Sequence, residues 1–337
     1  MFPLSSCTAL RSLNLARTIV SDVSSLASCE AQKEIYIFCT EVSEVTPLAS
    51  CLELEVLNCG TLIRLIDMTP MSSCKMIMSL DVTRTYVSDL TFLTCFMRLK
   101  KLRICDTRVS DLTPLTTCSA LEEVDCSITP VTDLVPLGTC NMLKKLNCSK
   151  TRVSDLTILA SCPLLRGLNC SSTGVSDLTF LVSCPLLMEL KCSSTGVSDL
   201  TFLASCPLLR ELNCSHTGVS DLTFLASGRL LEKLNCSHTG VSDLSAVASC
   251  DGLVELSCSD TGVSVVSCMA SCKKLTFLNC SRTAVSDVSP LASLWQLRFL
   301  YCWDTLVKDV SALRRLDLCS VSLTRRPGVI RDVLGSY

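Results

Sequence analysis

The side chains with most chemistry to offer are two histidines and 26 cysteines in a sequence of 337 residues. His216 and His238 lie in equivalent places of two successive segments, and each follows a serine, Ser215 and Ser237. A serine beside an imidazole suggests a nucleophile and its base. A hydrolytic centre also needs a group that orients the imidazole and a pair of oxyanion donors, and neither is evident in the neighbouring sequence. The same serine recurs at Ser171 and Ser193 without a histidine after it, so it belongs to a repeating pattern. Cysteine ligands for a metal want a CxxC pair or histidine partners, and the sequence has neither a CxxC nor a suitable histidine. It also lacks a phosphate-cradling glycine loop, a dinucleotide fingerprint and a zinc-protease motif. The expectation is a non-enzyme with no cofactor and no metal.

The elements that place these residues come from one stretch that repeats. Leu165 to Leu186 reads LRGLNCSSTGVSDLTFLVSCPL, and the pattern begins again at Leu187 and at Leu209, a period of twenty-two. Counting from the first Leu, apolar residues or Cys recur at positions 1, 4, 6, 11, 14, 17 and 20, Thr holds position 9 and Asp position 13. The end of the 1, 4, 6 spacing alternates, as a short strand with one buried face requires. The 14, 17, 20 spacing steps by three, which suits a 3₁₀ turn or a short α-helix on the opposite side. Strand units begin at Leu10, Gln32, Leu54, Ile77 and Leu99, and then once per period to Leu297. A fifteenth strand is read from LRRLDL at Leu313, which cuts the unit from Leu297 to sixteen residues. The unit from Leu54 carries one extra residue between Leu62 and Ile66.

The pattern LxxLxCxxTxVxDLxxLxxC, recurring from Leu10 to about Leu323, resembles the leucine-rich repeat in its 22-residue form, as in internalins and a phosphatase regulatory subunit. Thr at position 9, followed by VSDLTFL or VSDVSPL, is similar to repeats of trypanosomatid leucine-rich repeat proteins. The resemblance implies an α/β solenoid, an arc with about fifteen parallel strands on its concave face and 3₁₀ or short helical turns on its convex side. Residues 10–323 then form the solenoid, 1–9 a partial repeat or short cap that includes Met1, Phe2 and Leu4, and 324–337 a carboxyl-terminal tail or cap with a short helix over Pro327 to Leu334. An uncovered end exposes core and sheet edge. The lack of a clear amino-terminal cap leaves open that the chain is a fragment.

The formal net charge is −2, from 30 basic and 32 acidic residues, so no global field draws the chain to nucleic acid or an acidic membrane. Mean hydropathy is +0.45, but no apolar run approaches the roughly 18 to 20 residues of a membrane helix. A secretory signal and a lipidation motif are both absent from the sequence as read.

Ten cysteines occupy position 6, from Cys59 to Cys302, and eleven occupy position 20, among them Cys118, Cys140 and Cys162. Leu15, Ile37, Val82 and Ile104 share the position-6 column, so Cys is exchanged there with aliphatic residues and reads as a small buried hydrophobe. Neighbouring strands bring Cα atoms to about 4.8 Å, within the range of a disulfide, so distance leaves bonding open. The nine consecutive units from Cys126 to Cys302 argue against it, because an odd column does not pair completely and pairing would pinch alternate strands. Reduced thiols imply a reducing compartment, and the localisation expected is cytoplasmic. Asn147, Asn169, Asn213, Asn235 and Asn279 each begin the sequon Asn-Cys-Ser. Adjacent glycans on one face would collide, so these read as a by-product of the repeat; glycosylation would instead favour a secreted or surface adhesin or antigen.

Two columns remain. The Thr at position 9 reads as a weaker substitute for the family's Asn, which bonds the loops of neighbouring units. The Asp at position 13 reads as a cap for the turn that follows. One carboxylate per repeat does not assemble the several oxygens that calcium needs.

Positions 2, 3, 5, 7 and 8 face outward on the strand side. There Phe277, Phe299, Tyr301 and Trp303 put four of the chain's 15 aromatics on neighbouring strands, bordered by Arg282, Arg298 and Asp304. Exposed aromatics are favoured interface anchors. Lys100, Lys101 and Arg103 followed by Glu122, Glu123 and Asp125, then Lys144 and Lys145, form bands of alternating sign that neutralise one another across strands. The function read from these features is a non-catalytic scaffold that binds another protein on its concave face, with no nucleic acid, membrane segment or small-molecule site.

Overall fold

The computed structural model describes residues 7, 9–316 and 320–322. Fifteen parallel strands follow one another in chain order in a single sheet. The chain divides into two compact units, Met1–Gly174 and Val175–Tyr337. The first holds β1 (Ser12–Asn14), β2 (Glu34–Tyr36), β3 (Val56–Asn58), β4 (Ser79–Asp81), β5 (Lys101–Arg103), β6 (Glu123–Asp125), β7 (Lys145–Asn147) and β8 (Gly167–Asn169). The second holds β9 (Glu189–Lys191), β10 (Glu211–Asn213), β11 (Lys233–Asn235), β12 (Glu255–Ser257), β13 (Phe277–Asn279), β14 (Phe299–Tyr301) and β15 (Ser320–Ser322).

Each strand is three residues long, and from β2 to β14 its middle residue, such as Leu102, Leu234 or Leu278, is buried. The register keeps the period of the sequence, as where Lys101 pairs with Glu123 and Glu123 with Lys145. Val56 pairs with Ser79, one position further on, and so absorbs the extra residue of the unit from Leu54. Fourteen 3₁₀ turns of five residues each occupy the opposite side among the described residues, so the step-of-three spacing resolves to 3₁₀. In the turn Thr113–Thr117, Leu115 is buried, and the N–H of Cys118 closes the turn on its carbonyl at 2.9 Å.

The N-cap of these turns is position 14, as at Val23 and Leu112, and the position-13 carboxylate bonds the first turn residue from one place earlier. Asp22, Asp111, Asp155 and Asp199 each accept the backbone N–H two residues on at 2.8 Å, and Asp67 does so in the lengthened unit. The backbone N–H two residues on, followed by the hydroxyl there, holds the carboxyls of Asp22, Asp155, Asp199, Asp287 and Asp309 below their ordinary range. For Asp67 and Asp111 the Thr hydroxyl is the larger cause. A carboxyl that resists protonation when folded contributes stability above its unfolded pKa of about 3.9 and loses it as pH falls through the folded value. Tm is therefore expected to be flat from about pH 7 to pH 5 and to fall below about pH 4, with a shallower fall in an Asp155→Ala/Asp199→Ala variant. An acid limb of unchanged slope in that variant would refute the assignment.

Three expectations are corrected. Thr at position 9 does not bridge units: its hydroxyl donates to the carbonyl three residues back, as from Thr151 to Cys148 and from Thr217 to Cys214, both at 2.6 Å. Backbone bonds join these loops from unit to unit, such as Ile128 N–H to Ser149 O at 2.9 Å. LRRLDL does not begin a strand at Leu313: Ser311–Arg315 is a 3₁₀ turn whose first residue bonds Asp309, and the strand that pairs with Phe299–Tyr301 is Ser320–Ser322, one position short of the full period. Not every position-20 thiol is inward, because Cys7 is exposed. The proposed short cap at Met1, Phe2 and Leu4 and the helix over Pro327 to Leu334 lie outside the described residues.

Gln32 fills position 1, where most units have Leu, and it is fully buried with neither side-chain atom bonded. Desolvating an amide without a partner costs about 1–3 kcal/mol. Gln32→Leu is expected to stabilise the protein by about that amount, read as a raised urea midpoint.

Candidate functional site

The strand face is laid down in columns because each unit repeats the same register. Its charged columns neutralise themselves, as the alternating bands suggest. Glu122 is bridged by Lys100 and Lys144, and Lys101 meets Glu123 at 3.2 Å. The second unit continues the habit: Lys191 contacts Glu189 and Glu211 at 2.9 and 3.2 Å, Arg210 meets Glu232, and Lys233 meets Glu255 at 3.0 Å. Such partly exposed pairs fix side-chain positions more than they stabilise the fold.

The aromatic column is different. Phe277 stands directly beside Phe299, and Asn279 beside Tyr301, across β13 and β14. The Phe277 and Tyr301 rings are 5.6 Å apart and tilted by 47°. Phe299 is 48% exposed, while Phe277, Tyr301 and Trp303 are half-buried. Arg298 is exposed on the same strand side. Arg282 is exposed too, but its Nε is 2.7 Å from Asp260, so it borders the cluster as half of an ion pair. Sequence columns therefore bring Phe277, Phe299 and Tyr301 together correctly. They do not mark Trp295, 72% exposed in the turn that precedes β14, because the repeat pattern assigns position 21 to no face.

The two histidines stack face to face, 4.1 Å between centroids and 13° between planes. His238 Nε2 lies 3.4 Å from Asp260, which Arg282 holds from the other side. Neither serine engages an imidazole: Ser215 donates to Asn213 Oδ1 at 2.8 Å, and Ser237 shares a 2.8 Å hydrogen bond with Ser257. Both histidines sit at position 8, which is left-handed in every unit from Arg17 to Asp304 (φ 53–63°) although no glycine stands there. A left-handed L-residue costs about 1–2 kcal/mol, and here its N–H gains a bond to the next unit, as from His216 to Ser237 O. Position 8 therefore projects its side chains along the rim of the strands.

Asparagine at position 5 has a role that the sequence alone did not suggest. Oδ1 of Asn147, Asn169, Asn213, Asn235 and Asn279 accepts the N–H two residues on at 3.1 Å, closing the strand end. Asn213 is buried at 8% exposure, which opposes glycan transfer to it.

The 25 described cysteines are all thiols. Burial pushes the thiol of Cys126, and likewise those of Cys170 and Cys214, up to about 12, and it raises Cys148 and Cys236 well above the ordinary value. The thiolate is the reactive form. Iodoacetamide at neutral pH is thus expected to label exposed Cys7 and Cys39 in the folded protein and to reach Cys126 and Cys214 only after denaturation. Rapid labelling of the core columns in native protein would contradict the packing described. Among the described residues no group of three or more His, Cys, Asp or Glu is arranged to hold a metal ion.

No protein-family description matches the chain, and no curated protein matches it in sequence. Its likeness is to solved structures. An internalin, InlF, from Listeria monocytogenes superposes with a TM-score of 0.83 at 20% identity, covering 88% of each chain. The functional domain of Listeria monocytogenes InlJ, described as including a cysteine ladder, gives 0.70 at 16% identity over 93% of this chain and 68% of that one. The leucine-rich repeat ectodomain of the plant receptor kinase GASSHO1/SCHENGEN3 from Arabidopsis thaliana, solved in complex with Casparian strip integrity factor 2, gives 0.73 at 16% identity. This chain matches 94% of itself to 44% of that ectodomain.

Proposed function

We propose that this leucine-rich repeat solenoid is a non-catalytic scaffold that binds another protein on the exposed face of its strands. Phe277, Phe299, Tyr301 and Trp303 act as the anchors, with Arg282 and Arg298 at their border. The observation that carries this reading is the aromatic pair of strands β13 and β14, which follows middle units whose outward columns are mostly Asn, Ser and self-neutralising charges. Rings half-exposed on a hydrogen-bonded sheet lose little freedom on binding, and that preorganisation is the mechanism. A strand face of this kind suits a peptide or protein surface; the plant ectodomain with its bound factor offers a parallel in fold. To test it, a displayed 12-residue peptide library is selected on the full chain, with counter-selection on a Tyr301→Asn/Trp303→Ser variant that gives those columns the residues of the preceding unit. Enrichment of binders that ignore the variant supports the proposal; binders that hold both proteins equally refute it.

The compartment we infer is the cytoplasm. Thiols in two columns support a reducing environment. The second reading, a secreted or surface adhesin or antigen, draws on the Asn-Cys-Ser repeats and on the internalin fold. Intact mass of protein from its own cells, alkylated after denaturation without reductant, separates the two: full alkylation without hexose fits the cytoplasm, and blocked thiols or added hexose fit the exterior.

A further inference from the structure

A second surface lies along the rim of the first unit, where positions 8 and 10 border the strand face. Positions 8 and 10 there are fixed strand by strand through backbone bonds. Position 8 donates forward, as from Arg17 to Phe38 and Arg84 to Cys105, and position 10 donates back, as from Arg108 to Val87 and Arg152 to Val131. Their side chains therefore advance at the strand spacing of about 4.8 Å.

The composition of this edge is not dictated by the repeat. Six exposed basic residues, Arg17, Arg64, Arg84, Arg108, Lys150 and Arg152, stand there against two acidic ones, Glu41 and Asp106. That is a local excess of four positive charges in a chain of net charge −2. Apolar side chains are exposed between them: Ile19 at 88%, Ile63 at 66%, Ile66 at 62% and Tyr86 at 47%. In the second unit, Ser194, His216 and Asp260 stand at position 8 and Gly196, Gly218 and Gly240 at position 10. The one lengthened loop also lies on this edge, where Ile63 and Arg64 fill the place of a single residue before the ladder resumes from Tyr86 to Leu65. The edge is partly ordered, with the Arg108 guanidinium 4.2 Å over the Tyr86 ring and Arg84 Nε 3.3 Å from Asp106.

We propose that this edge binds an acidic polypeptide segment carrying aliphatic or aromatic side chains. Five of the six basic residues are arginines, whose planar fork engages carboxylates in bidentate fashion. From Arg17 to Arg152 the edge crosses six strand intervals, about 29 Å, the reach of roughly nine extended residues. An anionic membrane would draw on the same charges, but its headgroup plane would repel Glu41 and Asp106 within the row. A peptide sets neutral or basic side chains opposite them.

The probe is a dye-labelled 12-residue peptide alternating Glu with Leu and Phe, titrated with the full chain by fluorescence anisotropy at low and high salt. Its Gln counterpart and vesicles of phosphatidylcholine with phosphatidylserine serve as comparisons. The acidic peptide is expected to bind, and to bind at least about tenfold more weakly both at high salt and in an Arg64→Ser/Arg108→Ser/Lys150→Ser/Arg152→Gly variant whose circular dichroism is unchanged. Lys150→Ser with Arg152→Gly gives the pair found naturally at Ser172 and Gly174. Should the four-site variant not fold, Arg152→Glu alone, on an exposed side chain, is expected to weaken binding in the same direction. No binding of the acidic peptide, equal binding of the Gln peptide, indifference to the variants, or vesicle binding in place of peptide binding would each overturn the proposal.

Discussion

Phe96→Ala is expected to cost about 3–5 kcal/mol, the largest loss from any single substitution considered in this chain. Phe96 is fully buried at position 20, where Cys74 and Cys118 stand in the units on either side. Two small neighbours make room for one large ring, and that ring meets Phe92 edge to face, 5.7 Å between centroids and 77° between planes. Removing it leaves a cavity that two thiols are too short to fill. It also strips the edge-on contact from Phe92, which is itself only 3% exposed. In a solenoid each repeat is held by its neighbours, so the loss weakens two interfaces together. Urea unfolding followed by circular dichroism measures it. A loss below about 1 kcal/mol would mean that the turn side there collapses freely and is not packed as described.

Replacing Tyr301 and Trp303 by Asn and Ser is expected to weaken partner binding by about 2–4 kcal/mol, roughly 30- to 1,000-fold, while leaving stability nearly unchanged. The argument rests on the repeat itself. Asn279 and Ser281 already occupy these columns one strand earlier, and Asn279 closes its strand end through the N–H of Ser281. An Asn at 301 is therefore able to make the same bond. The two substitutions remove ring surface from the face and put in its place residues that the repeat already carries in those columns. A large loss of binding with an unchanged melting curve separates an anchor from a structural residue, whereas parallel losses of both would assign the rings to the core.

Much of this architecture was legible because a buried side chain every second or third residue leaves a period that survives substitution. The strand triplets, the 3₁₀ turns, the carboxylates bonded to them and the extra residue before Leu65 all follow from it. What was hidden depends on backbone geometry or on competition between two readings. The left-handed backbone at position 8 is filled by Arg, Ser, His, Lys and Ile128 alike, so no residue type announces it. Phe92, Phe180 and Phe224 stand at a turn position shared with Pro and Ala, yet they are buried. LRRLDL fits the strand pattern, but Asp309 two residues before Ser311 already marked a turn, and Leu313 and Leu316 fall at turn positions 17 and 20. In the candidate site, the columns were enough to place Phe277, Phe299 and Tyr301 side by side. The tie between Arg282 and Asp260, and the stacking of His216 on His238, needed side-chain directions that a period does not carry.

The most direct test of the scaffold reading is the affinity of a peptide selected on the full chain, measured by calorimetry with the unaltered protein and with Trp303→Ser. The reading predicts a loss of at least about 30-fold, close to 2 kcal/mol, with both proteins melting at the same temperature. Equal affinity for two equally stable proteins would contradict it and place the binding face elsewhere.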